Sequence, residues 1–117
     1  MNDKVYCVYI LASSRNGTLY VGFTSNLERR IWQHKNGCAD GFTKKYGVTK
    51  LVYYEVGGDF DGMLRREKRI KEWRRHWKIE LIESVNPEWC DLSEIEFTTP
   101  LDSGFRRNGM ERSRERL

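Results

Sequence analysis

The stretch from Val5 to His34, VYCVYILASSRNGTLYVGFTSNLERRIWQH, constrains the fold more than any other part of the chain. Val5-Tyr6-Cys7-Val8-Tyr9-Ile10-Leu11 is β-branched and aromatic, the composition of a strand. Its successive positions are apolar, so both faces need cover, which predicts a central strand. Asn16-Gly17 is a turn signal, and Leu19 to Phe23 is the return strand. Gly22 in that strand marks a point where a side chain would be in the way or the backbone must bend. Ser25 and Glu28 fit a capping box, which predicts a helix running to about Lys35 and stopped by Asn36-Gly37. Leu27, Ile31 and His34 form its inward stripe. Arg30 and His34 are four apart and project from the same side. Two phenols (Tyr9 and Tyr20), an arginine and a histidine on rigid elements can handle a phosphate. An aromatic hairpin packed on an ordinary helix has the same spacing.

The rest of the chain extends this unit. Cys38 to Gly47 reads as a loop rich in Gly and Lys. Val48 to Val56 is a third strand, with Leu51, Tyr53 and Glu55 alternating with Val52, Tyr54 and Val56. Gly57-Gly58-Asp59 breaks it, and Asp61 is placed to cap a helix that starts near Gly62. Met63, Ile70, Trp73 and Trp77 fall on one face of that helix, with Glu67 on the border of the stripe. A single straight helix from there to Ser84 would outrun so small a domain, which predicts a bend near Arg74. Asn86-Pro87 ends the helical region. Trp89, Leu92 and Ile95 suit a short segment that packs back. The expected class is α/β: a small three-stranded, mainly antiparallel sheet flanked by helices in the order β-β-α-β-α-α.

A chain of 117 residues holds one core, assigned here to residues 1–96. Residues 97–117 have no period and few apolar groups, and are expected to be a basic, disordered tail. The net charge of +4 is concentrated: from Arg65 to Lys78 there are eight Lys or Arg and two acids, Glu67 and Glu72. Such a run suits a polyanion, or simply a solvated face. No apolar run is long enough to span a membrane, and residues 1–11 lack the pattern of a signal peptide. Cys7, Cys38 and Cys90 are odd in number and far apart, as for free thiols in a reducing cytoplasm. His34 and Cys38 have no second pair with which to complete a zinc site.

Taken in order, these residues resemble the GIY-YIG nuclease superfamily. Cys7-Val8-Tyr9 and Tyr20-Val21-Gly22 match its paired signatures, and Leu27-Glu28-Arg29-Arg30 with His34 matches the helix that follows. Glu67, on a helix opened by Leu64-Arg65-Arg66, matches its late glutamate. Each signature is short; the ordered set over residues 4–92 is specific. Cys7 and Val8 stand where the family often has Gly and Ile, and Asn86 is too far from Glu67 to serve as the late asparagine of some members. The resemblance implies a phosphodiesterase using one divalent cation, Mg²⁺ or Mn²⁺, that leaves a 5′ phosphate and a 3′ hydroxyl. It implies catalytic roles for Tyr9, Tyr20, Arg30, His34 and Glu67, with Glu67 as the metal ligand and Gly22 as the signature glycine.

Those roles are chemically sensible. The planar fork of Arg30 can stabilise phosphoryl oxygens, and one carboxylate suffices for a Mg²⁺ that keeps most of its waters. A phenol with its ordinary pKa near 10 costs about 4 kcal/mol to ionise at pH 7, so Tyr9 as base needs help, and His34 is its rival. Lys44, Lys45, Arg65, Arg66 and Lys71 are expected to grip nucleic acid, most simply DNA. The expectation is therefore a structure-selective DNA endonuclease of repair or recombination, cytoplasmic and, in a bacterium, associated with the nucleoid. Two rivals remain: a catalytically degenerate nucleic-acid-binding protein, and a protein-interaction module.

Overall fold

A computed structural model describes residues 4–38 and 41–96. The tail expected at 97–117 lies outside them. The elements are β1 (Tyr6–Ala12), β2 (Leu19–Thr24), α1 (Leu27–Lys35), α2 (Gly41–Tyr46), β3 (Lys50–Gly57), α3 (Phe60–Glu72), α4 (Arg75–Val85) and α5 (Leu92–Glu96). The three strands form one antiparallel sheet in the order β2-β1-β3, with the expected central strand in the middle. Two helices join the expected order. One is α2, inside the segment read as a loop; the other is α5, in the closing segment.

Both faces of β1 are buried, and its alternation divides the core. Val8, Ile10 and Ala12 pack with Val21, Val52, Tyr53, Ile70 and Ile82 on the side of α3 and α4. Cys7, Tyr9 and Leu11 pack with Leu27, Ile31, Val48 and Leu51 on the side of α1. Burial pushes the Cys7 thiol up to about 11, as for a sulfur used in packing. The alternation expected in β3 fails at one point. Ile10 pairs with Tyr53 but Leu11 pairs with Leu51, so Val52 is the extra residue of a bulge. Leu51 and Tyr53 therefore serve opposite faces.

Several helix ends differ from expectation by one or two residues. Asn26, not Ser25, caps α1: its side chain accepts from Arg29 N at 3.1 Å. The Thr24 hydroxyl, accepting from Asn26 N at 3.0 Å, delays the first turn by one residue. Asp59, not Asp61, caps α3, accepting from Gly62 N at 3.1 Å. The expected bend lies at Trp73 and Arg74, whose ψ values of 151° and 154° are extended. That break changes the helical phase. Ile70 is fully buried, whereas Trp77 is half exposed and lines a cleft with Trp73, Glu80, Leu81 and Ser84. Trp89 is fully buried and donates to Glu83 Oε2 at 2.6 Å. Asn86 is structural: its amide donates to Val52 O and Cys90 O and accepts from Cys90 N.

Candidate active site

The hairpin register decides where the phenols go. Tyr9 pairs with Gly22 and Leu11 with Tyr20, so Tyr9 and Tyr20 share the face that α1 covers. Their ring centroids are 6.3 Å apart. Gly22 is required by the same register. A methyl built there would overlap Cζ and Oη of Tyr9, whose ring lies across the glycine. His34, at the end of the α1 stripe, is 2% exposed and meets both rings edge-on, at 5.8 Å from Tyr9 and 5.4 Å from Tyr20.

Tyr9 Oη and His34 Nε2 are hydrogen-bonded at 3.0 Å. The other ring nitrogen, Nδ1, is 3.0 Å from the hydroxyl of Thr43, itself buried on α2. Tyr9 is 1% exposed; Tyr20 is only half-buried and stands nearer the surface. Elsewhere on α1, Arg30 lines a polar cleft of about 250 Å³ with Thr24, Ser25, Asn26, Arg29 and Gln33. Arg30 is one turn before His34 on the same side of α1.

Glu67 arrives from the other side of the sheet. It lies on α3 between Met63 and Ile70, which pack on the opposite face from Tyr9. The carboxylate is buried rather than on a border, and Lys71 Nζ approaches its Oε2 at 2.7 Å. Phe60 packs against Phe23 near the end of β2, and Arg75 donates to Gly17 O before its start. Thus α3 begins near the end of β2, and α4 begins near its start.

The expected phosphate grip divides. Lys44, Lys45 and Arg65 are exposed. Arg66 is not free for a phosphate: it donates to both oxygens of Glu55, at 2.6 to 3.0 Å, and lies 5.4 Å over Trp73. The hydrogen bond to Glu55 holds the Arg66 guanidinium above its ordinary value. Burial first, and then Glu55, push the Tyr53 phenol well up, so Tyr53 stays a neutral donor to that carboxylate. Lys71 is taken by Glu67.

The sequence signature described as the GIY-YIG catalytic domain matches residues 5–80. The chain belongs to the GIY-YIG family. A UPF0213 protein of Clostridium perfringens is 43% identical over 77 residues, 66% of this chain and 82% of that one. A second, from Syntrophus aciditrophicus, is 42% identical over 82 residues, 69% and 92% of the two chains. A third, from Autographa californica nuclear polyhedrosis virus, is 38% identical over 84 residues, 70% and 80%. The solution NMR structure of a UPF0213 protein from Bacillus halodurans is 25% identical, covers 79% of this chain and 97% of that one, and has a TM-score of 0.48.

A GIY-YIG domain implies a divalent cation, and the residues here fit one kind of site. Among the described residues no three His, Cys, Asp or Glu side chains cluster as metal ligands. A site at Glu67 would therefore be one carboxylate completed by water and substrate oxygens, which suits Mg²⁺ or Mn²⁺ and not a closed protein cage. Three contacts around these side chains were not foreseen from the sequence. Thr43 is the partner of His34, and Phe42 and Tyr46 continue the aromatic row outward from Tyr20. Phe42 stacks on Tyr20 at 6.1 Å and meets Tyr46 at 4.9 Å, and Lys45 lies over the Tyr46 ring. The signal was Phe42-Thr43-Lys44-Lys45-Tyr46 itself, a polar and aromatic run too short to show a period.

Proposed function

We propose that this protein is a divalent-metal-dependent endonuclease that hydrolyses DNA phosphodiesters, selects its substrate by structure, and acts in repair or recombination. The observation that carries the reading is the buried 3.0 Å hydrogen bond between Tyr9 and His34, the latter on the helix that also carries Arg30. A phenol bonded to an imidazole can accept a proton from water near neutral pH without becoming a free phenolate. Arg30 holds the phosphoryl oxygens and the charge that develops on them. Tyr20, nearer the surface, orients the phosphate. β2 is an edge strand with α1 on one face and α3 on the other. The reading requires Arg30 and Glu67 to reach one substrate across that open edge. Glu67 would hold the cation, which supplies charge for the phosphate and the leaving oxygen; Lys71 must then release or share that carboxylate.

Outside the site, Lys44, Lys45 and Arg65 are free to contact the backbone. Phe42 and Tyr46 offer rings on which any base can stack. Contacts of this kind follow the backbone and stacked bases rather than base edges, so flaps, nicks or branches are the expected substrates. That work places the protein in the cytoplasm, on the nucleoid in a bacterium; no described helix is long and apolar enough to cross a membrane.

One observation favours a second reading. The Lys71 ammonium already neutralises Glu67, as it would in a GIY-YIG protein that binds nucleic acid without cutting it. Branched, nicked and linear DNA incubated with Mg²⁺ or Mn²⁺ separates the two. The nuclease reading expects cleavage, lost in Glu67→Ala and reduced by about a hundredfold or more in Arg30→Ala. Undiminished cleavage by Glu67→Ala would sink the metal assignment. Tight binding with no cleavage in either metal would establish the second reading.

A further inference from the structure

We propose that Thr43 is a positioning residue that fixes the tautomer of His34, so that His34 can take the proton of Tyr9. The chemical consequence rests on the nuclease reading above; the geometry does not. Thr43 is on a six-residue helix whose other described side chains face outward. Its own side chain is 1% exposed, at a position where valine would fill the same volume. Burying a hydroxyl costs about 1–3 kcal/mol unless it is hydrogen-bonded, and this one lies 3.0 Å from His34 Nδ1. The backbone is held as well, because Thr43 O accepts from Val48 N at 2.9 Å.

In a neutral imidazole the partner of one nitrogen decides which nitrogen carries the proton. An aliphatic hydroxyl accepts readily, and a phenol is the more acidic donor. The chain of bonds therefore runs one way: His34 Nδ1–H donates to Thr43, and Tyr9 Oη–H donates to the lone pair of Nε2. The opposite polarity would put a proton on Nε2, which could then only donate to Tyr9 and could not take its proton. With the first polarity the attack balances. The water oxygen bonds to phosphorus as a water proton passes to Tyr9 and the Tyr9 proton passes to His34 Nε2. The P–O3′ bond breaks, and its electron pair goes to the leaving oxygen, which takes a proton from solvent. His34 then returns its proton to solvent.

The test is the imidazole ¹⁵N spectrum of wild type, Thr43→Val and Thr43→Ser, each confirmed folded by circular dichroism. Wild type and Thr43→Ser are expected to show the Nδ1–H tautomer, and Thr43→Val a shift towards Nε2–H. On cleavable DNA, Thr43→Val should lower kcat by about ten- to a hundredfold with KM unchanged, and Thr43→Ser should recover most of it. A wild-type ring protonated at Nε2 overturns the proposal, as does an unshifted ring in Thr43→Val or a full kcat in that variant. The spectra need no substrate. A wild type that cuts nothing yet shows the tautomer shift would remove the nuclease reading and leave the hold of Thr43 on His34 in place.

Discussion

At the scale of single residues, Gly22 has the sharpest requirement, because the ring of Tyr9 occupies the space of its absent side chain. Gly22→Ala forces either the ring or the strand to move. We expect it to cost about 1–3 kcal/mol by chemical denaturation and to break the Tyr9–His34 bond, so that activity falls further than stability does. An alanine variant with wild-type stability and wild-type cleavage would refute the close approach. The need for a small residue here was readable as a glycine inside a strand pattern. What it makes room for was not, because that depends on which residue of β1 stands opposite. Arg66 shows the converse. As one cation in a basic run it looked available, and only the fold revealed Glu55 waiting on β3 to take it.

At the scale of elements, long periodic segments were legible and short ones were not. α1, α3, the break at Trp73–Arg74 and all three strands follow from apolar spacing and breaker residues. α2 has no periodicity: Thr43 is its buried side chain, Phe42 stacks on Tyr20, and Gly47 at φ 64° ends it. A second junction joins three elements through Asp91. Its carboxylate takes Lys35 of α1 at 2.6 Å, Leu51 N of β3 at 3.2 Å and the Ser93 hydroxyl of α5 at 2.6 Å. Burial pushes this carboxyl up, but the bonds from Lys35 and Ser93 outweigh it and hold it below the usual carboxylate range. A depressed carboxyl contributes stability that is present above its unfolded value and is lost as pH falls through its folded one. Thermal unfolding followed downward from about pH 5 should therefore show wild type losing more stability than Asp91→Asn does. Parallel curves would mean that the junction contributes nothing.

At the scale of the whole molecule, the exposed cations of α2 and α3 should act together on a polyanion. With about four phosphate contacts, binding should weaken by about a hundredfold between about 50 and about 200 mM salt, and Lys44→Ala/Lys45→Ala should lower the slope. Fluorescence anisotropy with labelled DNA measures both, and affinity indifferent to salt would point to a protein-interaction module instead. The sequence alone determined the α/β class, the central strand, the order of the main elements and the identity of the family. All of these are carried by local propensity, apolar period and ordered short motifs. Tertiary structure alone decided which residues meet. The hairpin register put Tyr9, Tyr20 and His34 on one face, the bulge at Val52 sent Leu51 and Tyr53 to opposite faces, and the packing of α3 buried Glu67 on the far side of β1. Side chains in a sheet switch face with every residue, so a shift of one position reverses their company. Propensity and apolar period do not fix that register; it shows only in the pairing of the assembled strands.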